Sequence, residues 1–228
     1  MWCIIPAAGI GSRCELELPK QYFKIPSGET ILEKTLEVIL SAESISGVIT
    51  ALDKDDKYFK TLSIAHQKPL YTCLGGKTRA ESVFQGLLFL QSLINEKKLK
   101  PQKYVCVHDA ARPLVLKEEI DLLNSQALKL KNSDGIILAC EVADTIKKVK
   151  NKKIEKTIER SSLFRALTPQ TIKFNILMHS LKHCLDQNIK ITDEASALEA
   201  CGYDCKILLG SNKNIKITYP SDLDLLKF

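Results

Sequence analysis

Two cations and two glycines near the N-terminus stand at spacings that suit a phosphate. In IIPAAGIGSRCELELPKQ, residues 4–21, an apolar run breaks into Pro6, Ala7, Ala8, Gly9 and Gly11, followed by Arg13 and Lys20. Glycines at a strand's end let backbone N–H groups approach an anion without a Cβ in the way. Arginine adds a planar fork for phosphate oxygens, and lysine a compact point charge. Cys14 stands where the third glycine of a dinucleotide fingerprint would be, and the lysine-serine end of a P-loop is missing. No acidic residue closes a second strand at the dinucleotide distance of about 20 residues. On spacing alone, a plain glycine turn with two surface cations stays open beside the phosphate loop.

Three other stretches add candidates. GGKTRAES, residues 75–82, puts Gly75, Gly76, Arg79 and Ser82 between a strand and a helix, where backbone can approach a base or ribose. VHDAARP, residues 107–113, places Asp109 just after a strongly apolar strand. A carboxylate there lies at the sheet's carboxyl edge, where it can hold Mg²⁺, and Arg112 follows on the same loop. A turn-capping Asp109 is the plainer alternative, and His108 reads as a satisfied strand-end histidine rather than a base. The fourth group is Thr145, Arg160, Thr168 and NIKIT, residues 214–218. As a strand, NIKIT turns Ile215 and Ile217 one way and Asn214, Lys216 and Thr218 the other, so Lys216 points off the core.

The elements that must position these residues alternate along the chain. WCIIP (2–6), VITAL (48–52), PLYTC (69–73), KYVCVH (103–108) and GIILAC (135–140) are apolar nearly throughout, as strands buried on both faces are. Helical spacing marks 30–41, 78–95 and about 117–131. The rhythm predicts an α/β fold, a mostly parallel, doubly wound, Rossmann-like sheet with ligands at the strands' carboxyl ends. Residues 142–161 break the rhythm. Weak alternation, a lysine-rich middle and Asn151 in the turn predict a β-hairpin arm with a solvated tip. So little apolar surface of its own calls for a second subunit to pack on. A helix near 173–187 follows. TDEASALEACG then predicts a helix with Thr192 as N-cap and Gly202 as its stop. CKILLG and NIKIT read as strands, and Ser221 as the cap of a final helix. One domain spans residues 1–228, with the arm as its only excursion.

Composition narrows the classes. Of the 228 residues 45% are hydrophobic, enough for a sizeable core, and the formal charge is a mild +6. That excess suits anionic small substrates, and without a zinc-finger, RRM or helix-turn-helix signature it does not point to nucleic acid. The eight cysteines form no CxxC pair, no apolar stretch approaches the ~20 residues of a membrane span, and a strand starting at residue 2 leaves no room for a signal peptide. A cytoplasmic protein with reduced thiols is the expectation.

Taken together, PAAGIGSR…PKQ, GGKTRAESV, VHDAARP, ADTIK, LTPQ, TDEAS and NIKIT resemble, in order and spacing, the 2-C-methyl-D-erythritol 4-phosphate cytidylyltransferases, from residue 2 to about 224. The resemblance implies a nucleotidyltransferase fold and a homodimer clasped by the arm. The implied reaction is CTP plus methylerythritol phosphate giving the CDP-alcohol and pyrophosphate, a step of non-mevalonate isoprenoid synthesis. On matching positions it implies that Ala7, Ala8, Gly9 and Gly11 cradle CTP, that Gly76 and Ser82 read its base and ribose, and that Asp109 helps hold Mg²⁺. Arg13, Lys20, Arg160 and Lys216 would be the catalytic cations. Arg112, Thr145, Thr168 and Thr192 would contact the substrate, with Thr145 and Arg160 reaching over from the partner's arm. The sequence departs from the family's usual pattern at Cys14, Phe164, Leu167 and Lys213, the last a cation where an acidic residue is common. A sister enzyme for ribitol 5-phosphate, a nucleotide-binding regulator without catalysis and a Rossmann redox enzyme are the competing readings. Retention of the cations and the missing third glycine weigh against the last two.

Overall fold

The structure, a computed structural model, describes residues 1–9 and 18–226. Gly11, Arg13 and Cys14 lie outside the described residues. Seven strands form one sheet in the order β3-β2-β1-β4-β8-β5-β9. They are β1 (Trp2–Pro6), β2 (Gly47–Leu52), β3 (Leu70–Leu74), β4 (Tyr104–Val107), β5 (Gly135–Glu141), β8 (Phe164–Lys173) and β9 (Cys205–Leu209). β6 (Ile146–Lys150) and β7 (Lys153–Ile158) form a separate hairpin. The helices are α1 (Ile31–Ser41), α2 (Arg79–Asn95), α3 (Lys117–Leu128), α4 (Phe174–Asp186) and α5 (Glu194–Ala200).

Strand periodicity sorts the core into two layers. On β1, Cys3 and Ile5 join Leu32, Leu36 and Ile39 of α1 and Ile120 and Leu123 of α3. Trp2 and Ile4 face the other way, onto Val83, Leu87 and Leu90 of α2 and Leu177 and Leu181 of α4. Gly86 lets α2 settle on β1, for a Cβ there would stand 2.6 Å from Ile4 Cγ2. Each such fully buried Leu or Ile contributes roughly 1.5–3 kcal/mol relative to exposure. Helix starts are fixed locally. Thr30 and Glu33 form a capping box on α1, and the Thr78 hydroxyl accepts from Glu81 N at the start of α2.

The order of strands places the site. β1 pairs in parallel with β2 on one side and β4 on the other, so the winding reverses between β1 and β4. Such a reversal opens a crevice at the strands' carboxyl ends. The loops that leave it are Ala7–Gly9 and His108–Arg112.

Several expectations need correction. PLYTC forms an edge strand, β3, with Tyr71 and Leu74 exposed, because among the described residues no strand pairs beyond it. NIKIT forms no ladder. It runs as an irregular segment bound by Ile217 N to Ala111 O, with Asn214 and Ile217 buried. The N-cap of α5 is Asp193 instead of Thr192, since the Asp193 carboxylate takes the Ser196 N–H in a capping box. Gly202 ends that helix with φ +74°. The last segment is a 3-10 helix, Pro220–Leu226, so Ser221 is not its cap. Sequence reading passed over β8, in which Pro169 sits mid-strand. It runs antiparallel to both β4 and β5 in an otherwise parallel sheet.

The arm is present. Asn151 and Lys152, with φ +49° and +62°, turn β6 into β7. Val149 and Ile154 pair across it, 54% and 66% exposed. All seven described cysteines are free thiols, and among the described residues no helix is long and apolar enough to cross a membrane.

Candidate active site

The crevice holds a cavity of about 320 Å³ lined by Ala7, Ala8, Gly9, Lys20, Gly76, Ser82, Arg79, Asp109 and Lys216, among others. Its floor is held by short-range bonds. Gln21 Nε2 donates to Ala7 O at 2.8 Å, and Ser82 Oγ bonds Thr78 O at 2.9 Å and lies 3.1 Å from Gly76 N. A Cβ on Gly76 would stand 2.2 Å from Glu81 Cβ, so the turn admits only glycine. Lys20 Nζ donates to Ile217 O at 3.0 Å, joining the first loop to the 214–218 segment.

Asp109 is the hub. Its Oδ1 accepts from Arg79 Nε at 2.7 Å, while Oδ2 takes Lys216 Nζ at 2.9 Å and Arg112 Nε at 3.3 Å. Burial works against its charge, but Arg79, Lys216 and Arg112 hold the carboxyl well below the usual carboxylate range. Arg79 also forks onto Glu194, with Nη1 to Oε1 at 2.7 Å and Nη2 to Oε2 at 3.0 Å. Burial disfavours the guanidinium charge, yet Glu194 and Asp109 outweigh it and raise the pKa of Arg79 above the ordinary value. Arg112 goes the other way, since its burial is only partly offset by Asp109.

A closed ring of bonds fixes the Asp109 loop. The Asp109 N–H donates to Thr168 Oγ1, whose hydroxyl faces His108 Nδ1, both at 3.0 Å. His108 Nε2 bonds Arg112 O at 3.1 Å, and Arg112 Nη1 donates to Asn214 O at 2.7 Å. Asn214 Nδ2 then returns to Thr168 O at 2.8 Å. Burial pushes the His108 imidazole down to about 4, and a neutral ring with its proton on Nε2 satisfies both neighbours. His108 is thus a satisfied strand-end histidine, as expected, and Thr168 is a buried brace of the same loop.

A second cavity of about 200 Å³ shares Arg79, Asp109 and Lys216 with the first and adds Arg112, Thr168 and Thr192. Three residues that sequence reading missed or barely used hold its wall. Gln170 bridges β8 to α5, donating to Asp193 Oδ2 at 2.8 Å and accepting from Ala195 N at 3.0 Å. Glu194 is fully buried on Arg79, and Asn214 closes the ring. Their only signal was polar residues inside apolar or capping patterns, which ordinary first-turn acids also give.

The glycine turns, the shared cations and the paired cavities make a polar cleft with positive charge on the wall between its two halves. A family model described as 2-C-methyl-D-erythritol 4-phosphate cytidylyltransferase (IspD) matches residues 1–228. The chain belongs to that family. A 2-C-methyl-D-erythritol 4-phosphate cytidylyltransferase of Buchnera aphidicola subsp. Schizaphis graminum is 45% identical over 227 residues, covering 99% of this chain and 91% of the relative. The enzyme of that name from Aliivibrio fischeri strain ES114 is 42% identical over 226 residues, covering 99% and 91%. The crystal structure of the Francisella tularensis enzyme superimposes with a TM-score of 0.78 at 35% identity, covering 98% of this chain and 96% of that one. As a member of the family, the chain is a nucleotidyltransferase.

Thr145 and Arg160, by contrast, are exposed on the arm and line neither cavity within one chain. The Arg160 guanidinium is turned back onto the arm's own Ala143 carbonyl. Phe164 and Lys213 are exposed, whereas Leu167 is buried in the core.

Proposed function

We propose that the chain transfers the cytidylyl group of CTP to 2-C-methyl-D-erythritol 4-phosphate, releasing pyrophosphate, in isoprenoid precursor synthesis. The observation that carries the reading is the shared wall of the two cavities. Arg79, Asp109 and Lys216 line both cavities, which supports a reading in which a nucleotide in one meets a phosphate in the other across them. In this reading Ala7, Ala8 and Gly9, with Gly11 and Arg13 beyond the described residues, cradle the triphosphate. Gly76 and Ser82 meet the base and ribose.

The chemistry asks little covalent work of the protein. A phosphate oxygen of the acceptor attacks the α-phosphorus of CTP in line, the new P–O bond forms, and the bond to the bridging oxygen of pyrophosphate breaks with its electrons. Charge builds on the nonbridging oxygens and the leaving group, so positioned cations lower the barrier. Lys216 and Lys20 supply them, the Lys20 ammonium being tied to the Ile217 carbonyl next to Lys216, and Arg112 and Thr192 face the acceptor. No general base is required, because the attacking oxygen is already anionic.

Asp109 fits a role in holding Mg²⁺. A carboxylate offers about four acceptor positions, three are taken by cationic side chains, and Mg²⁺ is commonly held by one or two carboxylates plus substrate phosphates. Among the described residues no cluster of three His, Cys, Asp or Glu side chains competes with that arrangement. When bound, the ion would neutralise phosphate charge.

The rest of the reading is one cytoplasmic domain that works as a homodimer. The exposed Val149–Ile154 pair needs cover, and a partner's arm would bring Thr145 and Arg160 to the acceptor cavity. The test is pyrophosphate release with CTP and Mg²⁺, comparing methylerythritol phosphate with ribitol 5-phosphate. Preference for the former supports the reading, while equal or faster turnover of ribitol 5-phosphate overturns the acceptor assignment.

A further inference from the structure

We propose that Arg79 and Glu194 are positioning residues for this reaction: their buried fork fixes how Asp109 is held, and through Asp109 where Lys216 waits. The inference rests on the proposed function and goes beyond it in naming what orients the reactive wall.

Both residues open a helix, Arg79 at the start of α2 and Glu194 at the start of α5. An anion at a helix N-terminus is favourable, but a cation there opposes the macrodipole. Arg79 therefore sits against the local preference, and its three contacts explain why it can. Two nitrogens are spent on Glu194, which is fully buried, and only Nε reaches Asp109.

That division of contacts has a consequence for the neighbours. A free guanidinium prefers to grip a carboxylate with two parallel N–H bonds. On Asp109 such a grip would claim Oδ2 as well as Oδ1, the oxygen that Lys216 and Arg112 share. Glu194 holds the fork away, so Arg79 anchors one oxygen and leaves the other to Lys216. α5 is itself braced on β8 through Gln170, so Glu194 presents a fixed acceptor. Arg79 stands with Asp109 and Lys216 in the wall that the two cavities share, so its fork acts where the reacting groups meet.

A pair that merely staples α2 to α5 would affect folding alone. The experiment separates the two by measuring pyrophosphate release, CTP affinity by calorimetry and thermal melting for Glu194→Asp, Glu194→Gln, Arg79→Lys and the double Arg79→Lys/Glu194→Asp. Glu194→Asp keeps the charge one methylene short of the fork, so it tests the inference even where Glu194→Gln fails to fold. The expected result is a kcat lowered about 10- to 100-fold in Glu194→Asp and Arg79→Lys, the cost of a reactive group misplaced by about an ångström. CTP affinity stays within about threefold, and the double variant is no slower than the slower single, since both break one link. Wild-type kcat in Glu194→Asp, a parallel loss of CTP affinity, or losses that multiply would overturn the proposal. An inactive wild type would instead strike at the proposed function, before any variant is compared.

Discussion

Lys216 Nζ lies 2.9 Å from Asp109 Oδ2, and the two ends of this pair are differently exposed, the lysine side chain 39% and the carboxylate 7%. Asp109 is locked by Arg79, Arg112 and its own N–H bond to Thr168, whereas Lys216 comes from an irregular segment outside the sheet. The lysine is the member free to exchange a carboxylate for a phosphate.

Lys216→Ala should therefore lower kcat about a hundredfold, the loss typical of one preorganised donor worth about 3 kcal/mol. Melting should change little, because Arg79 and Arg112 still balance Asp109. Steady-state pyrophosphate release and a thermal melt check this, and a near-normal kcat would remove Lys216 from the reaction.

Asp109→Asn has the opposite profile. It removes the carboxylate that Arg112, Lys216 and Arg79 share, leaving the largely buried Arg112 guanidinium without that ion pair, a change that costs about 3–5 kcal/mol when a buried pair is broken. Denaturant unfolding should show the loss before activity is assayed, and an unfolding free energy equal to wild type would contradict the hub.

Lys20→Ala should lower kcat far more than stability. Its bond to the Ile217 carbonyl is one partly buried contact worth about 1–3 kcal/mol, while its charge acts on the leaving pyrophosphate. A variant with ordinary kcat would sink that role.

The arm predicts complementation. Arg160→Ala and Lys216→Ala subunits, each strongly impaired alone, should regain activity when mixed, because one composite site in the heterodimer would be intact. Demonstrated heterodimers without recovery would count against shared sites.

Asp121 gives a pH test remote from the site. It accepts from Ser44 N at 2.8 Å, Ser44 Oγ at 2.6 Å and Glu43 N at 3.2 Å, tying α3 to the turn after α1. Burial opposes its charge, but the Ser44 and Glu43 bonds win and depress its pKa. The unfolded chain then takes up a proton before the native state does, so this contribution is complete above the ordinary carboxylate range and is lost as pH falls through the depressed value. The unfolding free-energy gap between wild type and Asp121→Asn should shrink on acidification from neutral pH, and a gap that stays constant would refute the assignment.

Much of this was legible in the residues. Apolar runs marked β1, β2, β4 and β5, helical spacing marked α1 and α2, and Asp109 followed β4 to the carboxyl edge as expected. The edge position of β3 was not legible, since an apolar run reads alike whether one neighbour or two flank it. Nor was β8, where Pro169 interrupts a strand pattern that pairing with β4 and β5 overrides. NIKIT alternates like a strand yet joins no ladder, because its backbone is spent on Ala111, Arg112 and Lys20. Arg79 and Glu194 look like routine first-turn residues until two distant helix starts are brought face to face.

The central claim is that the two cavities form one cytidylyl-transfer site, and the most direct measurement is pyrophosphate release from CTP as the acceptor is varied. The account predicts Mg²⁺-dependent release with methylerythritol phosphate, markedly slower release with ribitol 5-phosphate and none with CTP alone. Absence of release with either acceptor, from folded protein that binds CTP, would contradict it.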